Sequence, residues 1–202
     1  MQSTLTETQT IALELPSTTT LHVTHQQFTE LVIANRDLRL ERTATGELIV
    51  NPPTGGESGK RNFSLTTQVG NWFEANEDLG EGFDSSTGFI LPNGATRSPD
   101  VSWVRRERWE ALTAKERKGF VPLCPDFVVE LRSATDSLPK LQAKMQEYLE
   151  NGARLGWLIN PQNQQVEIYR PGRDVEILEH PTELSGEDVL PGFCLNLRRI
   201  WR

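Results

Sequence analysis

The chain has 202 residues and a formal net charge of −7, which allows one well-buried core or a core with a small annex. No segment reaches the roughly 18 consecutive apolar residues of a membrane span, and the acidic balance argues against a protein that coats nucleic acid by charge alone. A nuclease stays open, because acidic metal ligands add negative charge while a local basic strip can face the backbone. Cys124 and Cys194 stand far apart with no further ligands nearby; a disulfide is possible, but a reduced, cytoplasmic chain fits better. His22 and His25 are spaced as a weak metal pair and read as surface residues near a helix start.

Residues 1–20 are Thr- and Gln-rich and read as a flexible tail without signal-peptide character, leaving 21–202 as one domain. Thr24 to Asn35 carries Phe28, Leu31 and Val32 at helical spacing, with Thr24 as N-cap. Leu38–Arg42 and Glu47–Val50 flank Thr43-Ala44-Thr45-Gly46 as a hairpin. Asn51 to Gly59 is rich in Pro and Gly and predicts a loop. Lys60 to Glu77 suits a helix packed on a sheet, and Phe83 to Leu91 a strand interrupted near Gly88. Arg97 to Val104 is the next strand, and Arg105 to Lys118 a charged helical stretch with Trp109 and Leu112 inward. Phe127 to Leu131 is nearly all apolar, as in a strand covered on both faces. Leu138 to Asn151 is the second main helix, stopped by Gly152. Leu155 to Ile159 is a buried strand, Gln165–Tyr169 and Asp174–Leu178 form a hairpin, and Leu190 to Leu195 folds back as an edge element. The order predicts an α/β (α+β) fold with a central mixed sheet flanked by helices, plus an N-terminal helix and hairpin.

The chemistry concentrates between Arg97 and Tyr148. Asp100 opens one apolar run and Glu130 closes another; if the two strands pair, both carboxylates stand at the rim of the sheet. Magnesium takes oxygen ligands and keeps several waters, so two carboxylates can hold it. Each residue has a plainer reading. Asp100 can cap a turn or pair with Arg97. Glu130 can pair with Arg132, two residues on and on the same face of a regular strand. Lys140, Lys144 and Tyr148 recur every four residues on one helix face, which can be a solvated stripe, although Tyr148 suggests partial cover.

Several stretches, in this order, resemble one family: Arg97-Ser98-Pro99-Asp100-Val101, Cys124-Pro125-Asp126 through Arg132-Ser133, Lys144-Met145-Gln146-Glu147-Tyr148 through Gly152, Trp157-Leu158-Ile159-Asn160-Pro161, and Leu190-Pro191-Gly192-Phe193. They are similar to the bacterial Uma-two group, assigned to the restriction endonucleases of the PD-(D/E)XK nuclease superfamily. The resemblance implies a restriction-endonuclease-like core with Mg²⁺ (or Mn²⁺) at Asp100 and Glu130. Two residues after the second acid, where the superfamily has lysine, this chain has Arg132. The resemblance makes Lys144 on the following helix its equivalent. Arg132 and Tyr148 become supporting residues. Glu74, on the helix matching the first core helix, becomes a candidate extra acid, ahead of Glu57.

The resulting expectation is a magnesium-dependent endonuclease hydrolysing phosphodiester bonds in DNA. Its rival is an inactive nuclease-fold binding or scaffold module, supported by the net charge and by the missing lysine at 132; an RNA nuclease would use the same site. Cutting both strands of a duplex is easiest with two sites, so a homodimer is expected, with edges near Leu38 and Phe193 as candidate interfaces. No membrane partner is expected.

Overall fold

The computed structural model describes residues 19–202; the tail expected over 1–20 lies outside the described residues save for its last two. Helix α1 (His25–Ala34) begins with a reciprocal capping box. Thr24 Oγ1 accepts from Gln27 N at 3.2 Å, and Gln27 Oε1 accepts from Thr24 N at 2.9 Å. Strands β1 (Arg39–Arg42) and β2 (Leu48–Asn51) form the predicted hairpin, with Arg39 opposite Asn51.

Helix α2 (Gly56–Ala75) starts four residues earlier than predicted, inside the stretch read as a loop. Gly59 N bonds Gly55 O at 2.9 Å, and Glu57 meets Lys60 at 2.9 Å and Arg61 at 3.6 Å. An acid in the first turn and its partners three and four residues on favour helix there, which offsets the glycines.

The next two predicted strands each divide. Phe83–Leu91 becomes β3 (Gly80–Asp84) and β4 (Phe89–Ile90), and Arg97–Val104 becomes β5 (Thr96–Arg97) and β6 (Val101–Arg105), with the two halves in different sheets. Pro99, without an N–H to donate, falls at the second break. The charged stretch yields only α3 (Arg106–Glu110) and a 3-10 turn at Glu116–Lys118. Helix-forming residues are present there, but Trp109 and Leu112 alone do not make a stripe that tertiary packing can hold.

Strand β7 (Phe127–Leu131), helix α4 (Leu138–Glu150), strands β8 (Leu155–Asn160) and β9 (Gln165–Tyr169), and β10 (Glu176–Glu179) follow closely the predicted order. The end of the chain adds an unpredicted strand, β11 (Glu183–Ser185), paired with β12 (Cys194–Asn196). Phe193 and Leu195 are buried in the core, so this end is a packed ribbon and not an open edge.

The main sheet runs β10-β9-β8-β7-β6-β3, with β7 and β8 parallel and the other pairs antiparallel. A smaller sheet, β2-β1-β5-β4, carries the hairpin. Alternation along β7 divides two cores. Phe127, Val129 and Leu131 pack with Leu65 and Val69 of α2 and with the C-terminal ribbon; Val128 packs with Met145 and Tyr148 of α4. Glu130 continues the Val128 row and so faces α4. Helix and sheet approach closely because Gly156 has no side chain: a Cβ there would stand 2.5 Å from Met145 Cε. Among the described residues no helix is long and apolar enough to cross a membrane. Cys124 is buried, Cys194 is exposed, and both are free thiols.

Candidate active site

Strands β6 and β7 pair antiparallel, with Val101 opposite Val129. Asp100 extends that pairing: its N–H donates to Val129 O at 3.0 Å, and its Oδ2 accepts from Leu131 N at 2.8 Å. Asp100 and Glu130 therefore meet at the rim of the sheet, at the end of two adjacent strands. Above them α4 brings Lys144 and Tyr148, four residues apart and on one face. Lys144 Nζ lies 2.8 Å from Glu130 Oε1, and the Tyr148 hydroxyl donates to the same oxygen at 3.0 Å. All three side chains are buried or nearly so, Lys144 retaining 12 % exposure.

The hairpin supplies a third acid. Glu41, on β1 and 3 % exposed, accepts from Lys144 Nζ at 2.9 Å through Oε1, while Oε2 faces Arg97 Nη1 at 3.3 Å. Arg97 also reaches Glu147 of α4 at 2.6 Å through Nε. A chain of alternating charges thus runs Glu147, Arg97, Glu41, Lys144, Glu130, joining the small sheet to α4 and to the main sheet.

The two carboxylates on Lys144 behave differently. Burial by itself raises Glu41, but Lys144 and Arg97 together hold it below the ordinary 4.5. Glu130 has Lys144 as its cation, and burial, with Asp100 and Glu41 close by, pushes it up to about 7. Burial likewise raises Asp100 against the pull of the Leu131 N–H and Lys144. Lys144 is shifted up, because Glu130 and Glu41 outweigh the desolvation that would lower it. Tyr148 is raised well above its usual value by burial and by Glu130, so its hydroxyl stays a donor.

A cleft of about 630 Å³ opens onto this group, walled by β1, the start of α2, and the loop after β7. Among the described residues, Asp100 Oδ1 and Glu130 Oε2 accept no hydrogen bond from the protein. Five carboxylates (Glu41, Glu57, Asp100, Glu130, Asp136) line the cleft against two cations, Arg39 and Lys144. Unengaged hard oxygens in an acid-rich cleft, with two acids pushed up by burial, fit a magnesium-type cation. No three His, Cys, Asp or Glu side chains cluster to hold one among the described residues, so two carboxylates and water would have to suffice.

A family model described as "Putative restriction endonuclease", Uma2, matches residues 25–198. The chain belongs to the Uma2 family. A crystal structure of a putative nuclease belonging to DUF820 from Anabaena variabilis shares the fold, with a TM-score of 0.66 and 20 % sequence identity, covering 80 % of this chain and 89 % of that one. No curated protein matches the chain. Uma2 membership supports a nuclease function.

Within this Uma2 chain, Asp100, Glu130, Lys144 and Tyr148 come together. The Asp100–Arg97 and Glu130–Arg132 pairs do not form. Arg132 instead donates to Asp136 O at 3.2 Å and Asn160 Oδ1 at 3.4 Å, fastening the loop after β7, and does not line the cleft. Glu74 is a correction: it is exposed near the far end of α2, twelve residues beyond Asn62, the last α2 residue lining the cleft, or about 18 Å along the axis. Glu57, ranked below it, does line the cleft. Lys140 is exposed, as a solvated stripe would have it, although Lys144 on the same stripe is not.

Glu41, Arg97 and Arg39 went unread as site residues. Glu41 sits among charged residues in Arg39-Leu40-Glu41-Arg42 and lacks the apolar run that marked Glu130.

Proposed function

We propose that this protein is a magnesium-dependent endonuclease that hydrolyses phosphodiester bonds in DNA, with a site of PD-(D/E)XK type. The observation that carries it is the convergence of Asp100, Glu130 and Lys144 at one sheet rim inside an open acid-lined cleft. Asp100 and Glu130 would hold the metal, with Mn²⁺ an alternative to Mg²⁺. When bound, the ion polarises a phosphoryl oxygen and makes a bound water more acidic. It also answers the charge problem, since a cleft with five acids repels a polyanion unless cations enter with it.

Lys144 acts as a fixed positive charge. An ammonium has three donors; Glu41 and Glu130 take two, leaving one for a phosphate oxygen on which negative charge builds. Its raised pKa keeps it protonated, so it stabilises charge and does not abstract the proton of water. Glu41 and Tyr148 position it and Glu130 respectively. The lysine absent at 132 is thus supplied in space from α4, which weighs against the scaffold reading that its absence in sequence suggested. A homodimer would present two such sites to the two strands of a duplex.

The test is cleavage of plasmid and linear DNA with Mg²⁺ or Mn²⁺ by wild type, Asp100→Ala and Glu130→Ala. Each variant should lose more than about a hundredfold in rate while its circular dichroism matches wild type. Cleavage by both variants at the wild-type rate would refute the assignment.

A further inference from the structure

The cleft holds a second positive group that the charge chain does not use. Arg39 and Glu41 stand two apart on β1 and so share the face turned to the cleft, which both line. Lys144 is committed to two carboxylates. Among the described residues, Arg39 makes no ion pair and its side chain donates no hydrogen bond. Its Nε is enclosed by protein and still without a partner. Enclosed polar atoms are nearly always satisfied, and an arginine beside several acids that pairs with none is unusual. Asn62 Oδ1, on the α2 side of the same cleft, is likewise enclosed and unpartnered. Gly55 and Gly56 line the cleft with no side chain, and a Cβ at either would meet nothing within 4 Å. The cleft therefore combines an unspent guanidinium with room at its wall.

We propose that Arg39 is the anchor for a backbone phosphate of the DNA strand in the cleft, its planar fork taking two phosphate oxygens beside the metal-holding acids. This rests on the nuclease reading above and adds the contact that positions the strand. A guanidinium suits the task because it presents paired donors and keeps its charge at any working pH. The positive charge of Arg39 also reaches Asp100, where it opposes the rise that burial causes. In a cleft lined by five carboxylates, it gives the strand a second cationic contact beside the remaining donor of Lys144.

The experiment measures anisotropy of a fluorescein-labelled DNA duplex in Ca²⁺ across a salt series, for wild type, Arg39→Gln and Arg39→Lys. In parallel, melting curves are recorded with inorganic phosphate. Arg39→Gln should weaken DNA binding about tenfold and reduce the salt slope by about one. It should also lose the stabilisation by phosphate while melting near wild type without it. Arg39→Lys should keep the slope and recover only part of the affinity, since it restores charge without the fork. Should Arg39→Gln fold poorly, Arg39→Lys carries the test, and wild-type affinity in that variant would overturn the fork. DNA binding by Arg39→Gln with unchanged affinity and slope would overturn the proposal and leave the nuclease reading standing. Phosphate stabilisation that depends on Arg39, with no DNA binding by wild type, would keep the anchor and overturn DNA as its ligand. Neither ligand bound by wild type would overturn both.

Discussion

Lys144 divides the site into two regions of opposite character. Toward the hairpin, Glu41 meets both Lys144 and Arg97, Arg97 meets Glu147, and the charges close on one another at 2.6–3.3 Å. Toward the cleft, Glu130 shares that lysine but faces Asp100, and both acids retain an oxygen the protein does not engage. On one side two cations outweigh burial, and its glutamate is held below the ordinary pKa. On the other burial outweighs the pull of Lys144, and both acids are pushed up. Structure and function thus divide along a single ammonium. The closed side holds the small sheet against α4 and fixes Lys144, and the open side leaves Asp100 Oδ1 and Glu130 Oε2 unengaged by the protein.

This contrast can be broken most forcefully from the closed side. Glu41→Ala strands Lys144 and Arg97 with one partner fewer in a buried place, and breaking such a network costs about 3–5 kcal/mol. For a chain of this size the melting temperature should fall by on the order of 10 °C, readable by calorimetry in EDTA. A loss under about 1 kcal/mol would mean that the network is not structural.

The pH dependence sharpens the same division, because the two glutamates have opposite signs. Glu130 binds its proton more tightly folded, at about 7, than at the ordinary 4.5. Below pH 4.5 it costs nothing; its penalty accumulates as pH rises from 4.5 to about 7 and is complete above that. Glu41 is depressed, so its stabilising contribution is present above pH 4.5 and disappears as pH falls below that value. In EDTA, Glu130→Gln should gain on wild type as pH rises between 4.5 and 7. A stability difference that stays flat across this window would contradict the raised carboxyl.

Much of this was legible from the sequence where local pattern and burial agree. Glu130 stood out as an acid inside Phe127–Leu131, and the apolar runs around Asp100 and Glu130 correctly paired their strands. The four-residue spacing placed Lys144 and Tyr148 on one face. Glu41 was not legible, because its burial depends on a hairpin meeting a helix 103 residues away in sequence; a strand of four residues shows no such partner. Glu74 misled because its helix was right and its position along that helix was not. The early start of α2 was hidden by glycines, whose low propensity tertiary context and the Glu57 pairs override, and that start brought Glu57 to the cleft. The division of two predicted strands between two sheets likewise reflects packing that a linear pattern does not contain.

The most direct measurement concerns the open side. Asp100→Asn removes a charge that burial already disfavours, so in EDTA it should change stability by less than about 1 kcal/mol. Melting curves of wild type and Asp100→Asn are then compared with added Mg²⁺ and Mn²⁺. A cation bound only by the folded protein stabilises it by about 2.7 kcal/mol at a hundred times its dissociation constant. Wild type should therefore rise with either metal, and Asp100→Asn should not. An equal rise in both proteins, or none in wild type, would contradict a metal site at Asp100 and Glu130.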